Sequence, residues 1–241
     1  MIPKIIHFCW FGRKPYPEKV EMCMKSWKKY LPDYEFKLWN EDSFDLNTCR
    51  FVKEAYENGK YAFVSDFVRI YALYHYGGIY LDTDIEVKKS FNDILSKKLV
   101  LGTDDDGHLT AFMASDKNME YFKKLYDLYL DMPFILGDGK YNDVVNNIWM
   151  EDILKEYGYI ISNKYQKLEH EIEVFPDEYF HARSLISGKY NITRNTYCIH
   201  QHTLLWVSNK TKIIRFIRMK ILVPLLGTER YMRIIKRLKK W

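Results

Sequence analysis

Residues 62–84 constrain the fold of this chain more than any other part of its sequence. Residues 62–76 are apolar on most sides of a helix, which indicates a helix that is buried in a core. Gly77 and Gly78 end that helix, and residues 79–81 then have the apolar composition of a buried strand. The chain must therefore bury a helix and a strand within one short stretch, which favours an α/β fold.

The rest of the chain repeats this alternation. Short apolar runs predict strands, and apolar residues at helical spacing predict helices. The predicted strands are 5–10, 34–39, 99–102, 108–114, 171–175 and 197–200, and the further helices are 18–30, 119–130 and 143–157. A polar loop is predicted after residue 39. Strands that alternate with helices indicate an α/β sheet, in which ligands bind beyond the carboxyl ends of the strands.

Two carboxylates fall at such an end. Asp82 and Asp84 are separated by one residue, so both carboxylates lie on one side of an extended backbone. They repel each other and any phosphate beside them, because two unit charges about 4 Å apart interact by ~4 kcal/mol at an effective dielectric constant near 20. A divalent cation such as Mg²⁺ or Mn²⁺ reverses the sign of this interaction. The pair alone is a weak signal, since exposed acidic turns are common.

Asp66 and Arg69 add context to the acidic pair. They lie three residues apart on the predicted apolar helix, so their polar groups share one face. The spacing fits an ion pair that holds the helix in place, and it equally fits a pair that binds the hydroxyls and phosphate of a ligand. Arg69 suits an anionic ligand because a guanidinium donates two parallel hydrogen bonds.

Three segments, in order along the chain, resemble the motifs of one enzyme family. Residues 65–84 read Ser-Asp-x-x-Arg and then Gly-Gly-x-Tyr-x-Asp-x-Asp, which resembles the DxD sugar transferases of glycosyltransferase family 32. Residues 5–12 resemble the first strand of that family, and residues 200–206 resemble its closing His…Ser-Trp segment. The family includes initiating α-mannosyltransferases and many bacterial capsule enzymes, and the large glucosylating toxins share its core motif.

The resemblance implies a GT-A type fold, with a Rossmann-like mixed sheet flanked by helices, and it implies a divalent metal cofactor, Mn²⁺ or Mg²⁺. Asp66 and Arg69 would hold hydroxyls of the donor sugar, with Arg69 close to the diphosphate. Asp82 would contact the ribose and help position the metal, and Asp84 would ligate the metal directly. Asp66, Arg69 and Asp84 form the implied catalytic set.

The resemblance also implies four aromatic or histidine contacts to the nucleotide. One residue would border the nucleobase, one would line the donor pocket, and two would close over the diphosphate from a late, mobile loop; in that order the four are Trp10, Tyr80, His200 and Trp206. For Trp10, Tyr80 and His200 an ordinary place in the core is the alternative. The family has Ser before its last Trp, whereas this chain has Leu205, so a hydroxyl ligand is missing unless His202 or Ser208 replaces it.

The activity implied by the resemblance is that of a metal-dependent, retaining glycosyltransferase. It would move a hexose (galactose, glucose or an N-acetylhexosamine) from a UDP-sugar to a hydroxyl of a growing bacterial surface oligosaccharide, such as a capsular one carried on polyprenyl diphosphate. A GDP-mannose-dependent α-mannosyltransferase is the alternative within the same class. A metal-dependent phosphoryl-transfer enzyme and a catalytically silent sugar-binding module are the alternatives from other classes.

The charge of the chain is unevenly distributed. Residues 210–241 carry eleven Lys or Arg and one acid, a net charge of +10, whereas residues 1–209 carry a net charge of −5. We therefore predict a catalytic domain over residues 1–209 and a basic helical tail over residues 210–241. The tail is amphipathic, which is typical of helices that lie in anionic membrane surfaces. Packing of the tail on the body is the alternative, and the acidic body argues against a nucleic-acid partner.

Other features concern the compartment. The four cysteines lie far apart and form no Cys-x-x-Cys, which argues against a disulfide framework and a zinc site. The first residues do not resemble a signal peptide, and no apolar run reaches the roughly 20 residues that span a bilayer. We therefore predict a cytoplasmic protein that binds peripherally to the inner face of the cell membrane.

Overall fold

The computed structural model describes residues 1–203 and 209–238, and a seven-stranded sheet forms its centre. The strands of this sheet are β1 (Ile5–Cys9), β2 (Glu35–Trp39), β3 (Gly78–Tyr80), β5 (Leu99–Thr103), β6 (Leu109–Ser115), β7 (Gln166–Lys167) and β8 (Ile172–Phe175). Their order is β2-β1-β3-β6-β5-β8-β7. A second sheet pairs β4 (Ile85–Val87) with β9 (Cys198–His200). β1 is parallel to β2 and β3, whereas β6 is antiparallel to β3 and β5, so the central sheet is mixed.

Helices flank this sheet and form the C-terminal segment. The body contains α1 (Glu18–Tyr30), α2 (Arg50–Glu57), α3 (Tyr61–Tyr76), α4 (Glu120–Asp131), α5 (Asn146–Lys155) and α6 (Asp177–Phe180). The C-terminal segment contains α7 (Asn209–Ile217), a π-helical turn (Arg218–Leu222), α8 (Val223–Leu226) and α9 (Thr228–Leu238). The predicted α/β class, with a mixed sheet flanked by helices and a helical tail, is therefore confirmed. Across the described residues, no helix combines the length and the apolar character needed to cross a bilayer.

The core lies on both faces of the central sheet, because alternate residues of a strand point to opposite faces. In β5, Leu99 and Leu101 pack with α3 and α4 on one face, and Val100 packs with residues of β4 and β9 on the other. All three are buried, which is expected for a central strand covered on both sides. All four cysteines are buried and free.

Two glycines set the distance between α3 and the acidic residues that follow it. Gly77 ends α3 with a φ of +65°, and Gly78 has a φ of +100°, both in the left-handed region that favours glycine. A Cβ atom at Gly78 would lie 2.7 Å from the carbonyl oxygen of Ile5, so a side chain there would separate β3 from β1. The Gly-Gly pair therefore holds β3 against β1 and places Asp82 just beyond the ends of both strands.

The structure corrects one sequence prediction in this part of the chain. The polar loop predicted after residue 39 contains α2, which buries Phe51, Val52 and Ala55 against the core. The helix is eight residues long, and those three are its buried positions, so its periodicity is short and easily missed. The short strand β4 was not predicted either, since its pairing partner β9 lies far along the chain.

His7 on β1 gives a testable pH dependence of stability. Its Nε2 lies 2.7 Å from the carbonyl oxygen of Gly77, and its Nδ1 accepts a hydrogen bond from Trp39. These partners require the neutral ring, and burial lowers the pKa of His7 from 6.5 to about 4. The folded protein therefore binds fewer protons than the unfolded chain between these pH values, and stability is lost as the pH falls from 6.5 toward 4.

We expect His7 to contribute about 3 kcal/mol to this loss, which follows from the size of its pKa change. Urea unfolding of the wild type and of His7→Gln at pH 7.5 and pH 4.5 measures it. The variant should lose about 3 kcal/mol less than the wild type between the two pH values, because the other titrating groups act equally in both proteins. An equal loss in the two proteins would contradict the prediction.

Candidate active site

A cleft opens where β1 and β3 end, and it consists of two adjoining cavities. The first has a volume of about 250 Å³ and is lined from β1, α3, the residues after β3, β9 and α7. The second has a volume of about 340 Å³ and extends toward β6 and α5. The residues that line both cavities are Arg69, Asp82, Leu185, His200 and His202. The cleft therefore lies beyond the carboxyl ends of parallel strands, where α/β sheets bind ligands.

Arg69 lies between two carboxylates at the wall that the cavities share. Its Nη2 is 3.0 Å from Oδ1 of Asp66 and 3.4 Å from Oδ1 of Asp82. Burial raises the pKa of Asp66 to about 6, although Arg69 opposes this shift. The ion pair considered from the sequence is therefore present, and its members also line the second cavity. Their contact with a ligand stays a prediction.

Tyr80 fixes the position of Asp82 from the strand below. Its side chain is buried, and its hydroxyl donates a 3.0 Å hydrogen bond to Oδ1 of Asp82. The guanidinium carbon of Arg69 lies 4.8 Å from the centre of the Tyr80 ring. Both neighbours therefore hold the same oxygen of Asp82, and among the described residues no hydrogen bond reaches its other oxygen.

Asp84 is held by strand β9 and by the residues that follow it. Its Oδ1 lies 3.1 Å from Nε2 of His200, and its Oδ2 accepts hydrogen bonds from the backbone nitrogen (2.7 Å) and hydroxyl (3.0 Å) of Thr203. Burial alone would raise the pKa of Asp84, but His200 and Thr203 reverse this and lower it. Burial likewise opposes protonation of His200, yet Asp84 raises its pKa above the ordinary value. The two groups therefore form an ion pair.

Two further histidines lie beside His200. The ring centres of His181 and His202 are 5.2 Å and 4.1 Å from that of His200. Burial lowers the pKa of both, and the positive charge of His200 lowers it further, so both rings are neutral at pH 7. Both nitrogens of His181 and Nδ1 of His200 are buried, and none of them has a hydrogen-bond partner among the described residues.

These residues fit a divalent metal ion. Ligand atoms of Asp82, Asp84 and His200 lie within 4.8 Å of one another. Within the part of the chain that the structure describes, Oδ1 of Asp84 contacts only His200, so a lone pair remains for a metal, and the second oxygen of Asp82 is available. Two carboxylates and an imidazole form a donor set that suits Mn²⁺, whereas an all-oxygen set is more typical of Mg²⁺. To bind the cation, His200 would first give up the proton that it shares with Asp84.

The structure brings together six of the eight residues predicted from the sequence. Those that line the cleft are Asp66, Arg69, Tyr80, Asp82, Asp84 and His200. His200 belongs to β9 and is paired with Ile85, so it lies in a sheet rather than in a loop. Trp10 lines neither cavity: its Nε1 donates to the carbonyl oxygen of Lys14, and its ring packs against Tyr16. Its place beside a nucleobase remains a prediction, and Trp206 lies outside the described residues.

Three residues of the cleft were missed or left unassigned by the sequence analysis. Thr203 donates its hydroxyl to Asp84, whereas His202 and Ser208 were considered as replacements for the hydroxyl ligand missing at Leu205. The one sequence signal for Thr203 is its place within the late motif, residues 200–206. His181 and Arg215 also line the cleft, and no motif marks either of them.

The comparisons with known proteins identify the segment that carries the acidic pair. Residues 17–101 match the family described as "Glycosyltransferase sugar-binding region containing DXD motif". That range contains α1, β2, α2, α3, β3 and β4, and therefore both the Asp66–Arg69 pair and the Asp82–Asp84 pair. The resemblance to DxD glycosyltransferases is confirmed over this region.

Curated relatives extend the similarity along the chain. Inositol phosphoceramide mannosyltransferase 3 of Schizosaccharomyces pombe is 37% identical over 98 residues, which cover 39% of this chain and 27% of that protein. Inositol phosphoceramide mannosyltransferase 2 of the same organism is 26% identical over 226 residues, which cover 89% of this chain and 61% of that protein. The chain thus spans between about a quarter and three fifths of the length of these relatives.

One solved structure covers most of the chain. It is a glycosyltransferase involved in the glycosylation of the major capsid of PBCV-1, with 11% sequence identity and a TM-score of 0.45. The alignment covers 91% of this chain and all of that one.

Proposed function

We propose that this chain, which carries the DXD-containing sugar-binding region of glycosyltransferases, transfers a hexose from a nucleotide sugar to an acceptor hydroxyl. The observation that carries the proposal is the convergence of Asp82, Asp84 and His200 on one cavity, beside Arg69. A cation site next to a guanidinium suits a diphosphate, and the family match makes that diphosphate part of a sugar donor.

The two cavities suggest a division of the substrates. The first reaches the end of β1 at Cys9 and contains the Asp84–His200 pair, so we place the nucleoside diphosphate there. The second contains Asp66, Thr110 and Asn146 and is the larger, so we place the transferred sugar and the acceptor there. The wall formed by Arg69 and Asp82 would then lie next to the bond between sugar and phosphate.

In this arrangement the chain's own residues orient the donor and balance its charge. Asp66 is ionised above pH 6 and would accept hydrogen bonds from sugar hydroxyls, while Arg69 donates toward the diphosphate. Asp82, Asp84 and His200 would hold a divalent cation, which supplies neutralisation of charge on the leaving diphosphate. For retention of configuration, the bond from the anomeric carbon to phosphate breaks on the face where the acceptor oxygen bonds, and the phosphate takes the acceptor proton.

The relatives bear on the identity of the sugar. The family resemblance implies a UDP-hexose, with GDP-mannose as the alternative, whereas the curated relatives are named as inositol phosphoceramide mannosyltransferases. These names favour a mannosyl donor, such as GDP-mannose, and an acceptor at a membrane surface over a UDP-hexose and a capsular oligosaccharide.

A panel of donors tests the proposal. UDP-galactose, UDP-glucose, UDP-N-acetylglucosamine and GDP-mannose are incubated with the full chain and Mn²⁺ or Mg²⁺, and release of nucleoside diphosphate is measured with and without EDTA. Metal-dependent release from one donor supports a transferase and names the sugar. Binding of a free sugar without release from any donor would instead favour a silent sugar-binding module.

The C-terminal helices support a membrane-bound location, which we propose as the second part of the function. Ile213, Ile214, Phe216 and Leu225 are 57–78% exposed, although they are large and apolar. They lie in a segment with a net charge of +10, and each Lys or Arg near an anionic membrane surface contributes ~1 kcal/mol to binding. We therefore propose a peripheral protein on the inner, cytoplasmic face of the cell membrane, with a lipid-linked acceptor.

Flotation with vesicles of phosphatidylethanolamine and phosphatidylglycerol checks this location. Ile213→Ser/Ile214→Ser should weaken binding roughly tenfold or more, because each buried isoleucine contributes about 1.5–3 kcal/mol. Ile160→Ser/Ile161→Ser is the matched control, since these side chains are also exposed but lie on the body. Equal flotation of the wild type and both double variants would refute the proposed membrane binding.

A further inference from the structure

Helix α7 buries one charged side chain and exposes its large apolar ones. Arg215 is 8% exposed, whereas its neighbours Ile214 and Phe216 are 57% and 62% exposed. Arginine is seldom buried without a partner, since removing its charge from water is costly. The guanidinium is therefore expected to bind either a group of the protein or a ligand that enters the cleft.

Arg215 lines the first cavity together with Asp82, Asp84 and His200. Its Nε lies 3.4 Å from the sulfur of Met219, and a thioether is a weak acceptor. Within residues 1–203 and 209–238, no carboxylate oxygen lies within 4.0 Å of its guanidinium, and no hydrogen bond is made by its two terminal nitrogens. Among these residues, its positive charge thus has no ion-pair partner.

The other cations around the cleft are already engaged. Arg69 is paired with Asp66 and Asp82, and His200 is paired with Asp84. Arg218 donates to the carbonyl oxygen of Leu185, and Arg183 donates to that of Gln201. Among the described residues that line the cleft, Arg215 is therefore the cation with neither a carboxylate nor a carbonyl partner.

We propose that Arg215 binds the diphosphate of the donor, with its two terminal nitrogens donating to phosphate oxygens. The proposal rests on the function proposed above and adds a binding residue to it. A guanidinium matches a phosphate with two parallel hydrogen bonds. Burial and the neighbouring Arg218 and Arg183 lower the pKa of Arg215 to about 10, so it keeps its charge at neutral pH.

The proposal changes the role of the C-terminal segment. This segment was predicted from the sequence as a tail separate from the catalytic domain, but α7 would complete the donor site with one face while its exposed face meets the membrane. Loss of the segment should therefore abolish binding of the diphosphate in solution, where no membrane is present.

Binding of Mn²⁺ with inorganic pyrophosphate, UDP and GDP to the full chain tests the proposal by titration calorimetry. Arg215→Gln should weaken binding of all three by 10-fold to 100-fold. Arg215→Lys should weaken it less, because lysine keeps the positive charge although it cannot donate two parallel hydrogen bonds to one phosphate. Arg50→Gln is the control, since Arg50 lies on α2 and lines neither cavity. It should bind within twofold of the wild type.

Two further measurements separate binding from folding. Met219→Leu removes the thioether contact without changing charge, and it should leave pyrophosphate binding within threefold of the wild type. Free guanidinium should restore binding to Arg215→Ala, which a purely structural role of the side chain would not allow. If Arg215→Gln binds all three ligands like the wild type, the role of Arg215 is refuted, while the proposed transferase function stands. A wild type that binds none of them would overturn both.

Discussion

Replacing Asp84 with Asn is expected to lower turnover by roughly 10²–10³-fold, the range observed when one charge-stabilising group is removed from an active site. Asn has nearly the same shape, so Thr203 keeps an acceptor for its backbone nitrogen. The negative charge is lost, however, and with it the proposed anionic metal ligand and the partner of His200. The side chain is only 8% exposed, so solvent compensates little for the lost charge.

Glu86→Gln is the matched control for this variant. Glu86 lies two residues further on, in β4, where it contacts Lys88 and Gln201 and lines neither cavity of the cleft. Its turnover should stay within twofold of the wild type. Mn²⁺ binding, measured by electron paramagnetic resonance, should weaken in Asp84→Asn and not in Glu86→Gln. Near wild-type turnover and Mn²⁺ binding in Asp84→Asn would refute the metal role of this residue.

Replacing Arg69 with Met is expected to lower the free energy of unfolding by about 3–5 kcal/mol, the usual cost of removing one partner from a buried ion pair. The change leaves Asp66 and Asp82 without their shared cation, and the side chains of Arg69 and Asp66 are only 13% and 15% exposed. The pKa of Asp66 is already raised to about 6, and it should rise further without Arg69. The defect should therefore shrink as the pH falls toward 5, because Asp66 then takes up a proton.

Urea unfolding at pH 7.5 and pH 5 measures this effect. Arg13→Met is the control, because Arg13 pairs with Asp42 on the surface and both side chains are more than 60% exposed. It should unfold like the wild type, since exposed ion pairs contribute little. The double variant Arg69→Met/Asp66→Asn should recover part of the lost stability. An Arg69→Met variant as stable as the wild type would show that the pair holds nothing in place.

The features predicted from the sequence are those encoded by neighbouring residues. The apolar period of α3, the Gly-Gly pair and the strand that follows lie within about twenty positions, so their pattern determines both the elements and the place of Asp82 and Asp84. The Asp66–Arg69 pair is local in the same way, because one helical turn separates its members.

The features that were missed depend on segments that meet only in the folded chain. Thr203 reaches the cleft because β9 pairs with β4, and Arg215 reaches it because α7 packs beside the cleft. No periodicity in the sequence predicts either contact. The buried arginine is also the opposite of what the amphipathic pattern of the tail predicts. An amphipathic pattern shows that a helix has two faces, but it does not show which face meets the body.

The pairing of β9 with β4 affects how this protein folds during its synthesis on the ribosome. The contact from Thr203 to Asp84 spans 119 residues, and contacts of such sequence separation form late and slow folding. The nascent polypeptide therefore exposes its acidic pair long before His200 and Thr203 emerge from the exit tunnel. Competence for ligand should arise only after residues 200–203 have emerged, so products truncated before them would be inert rather than partly active.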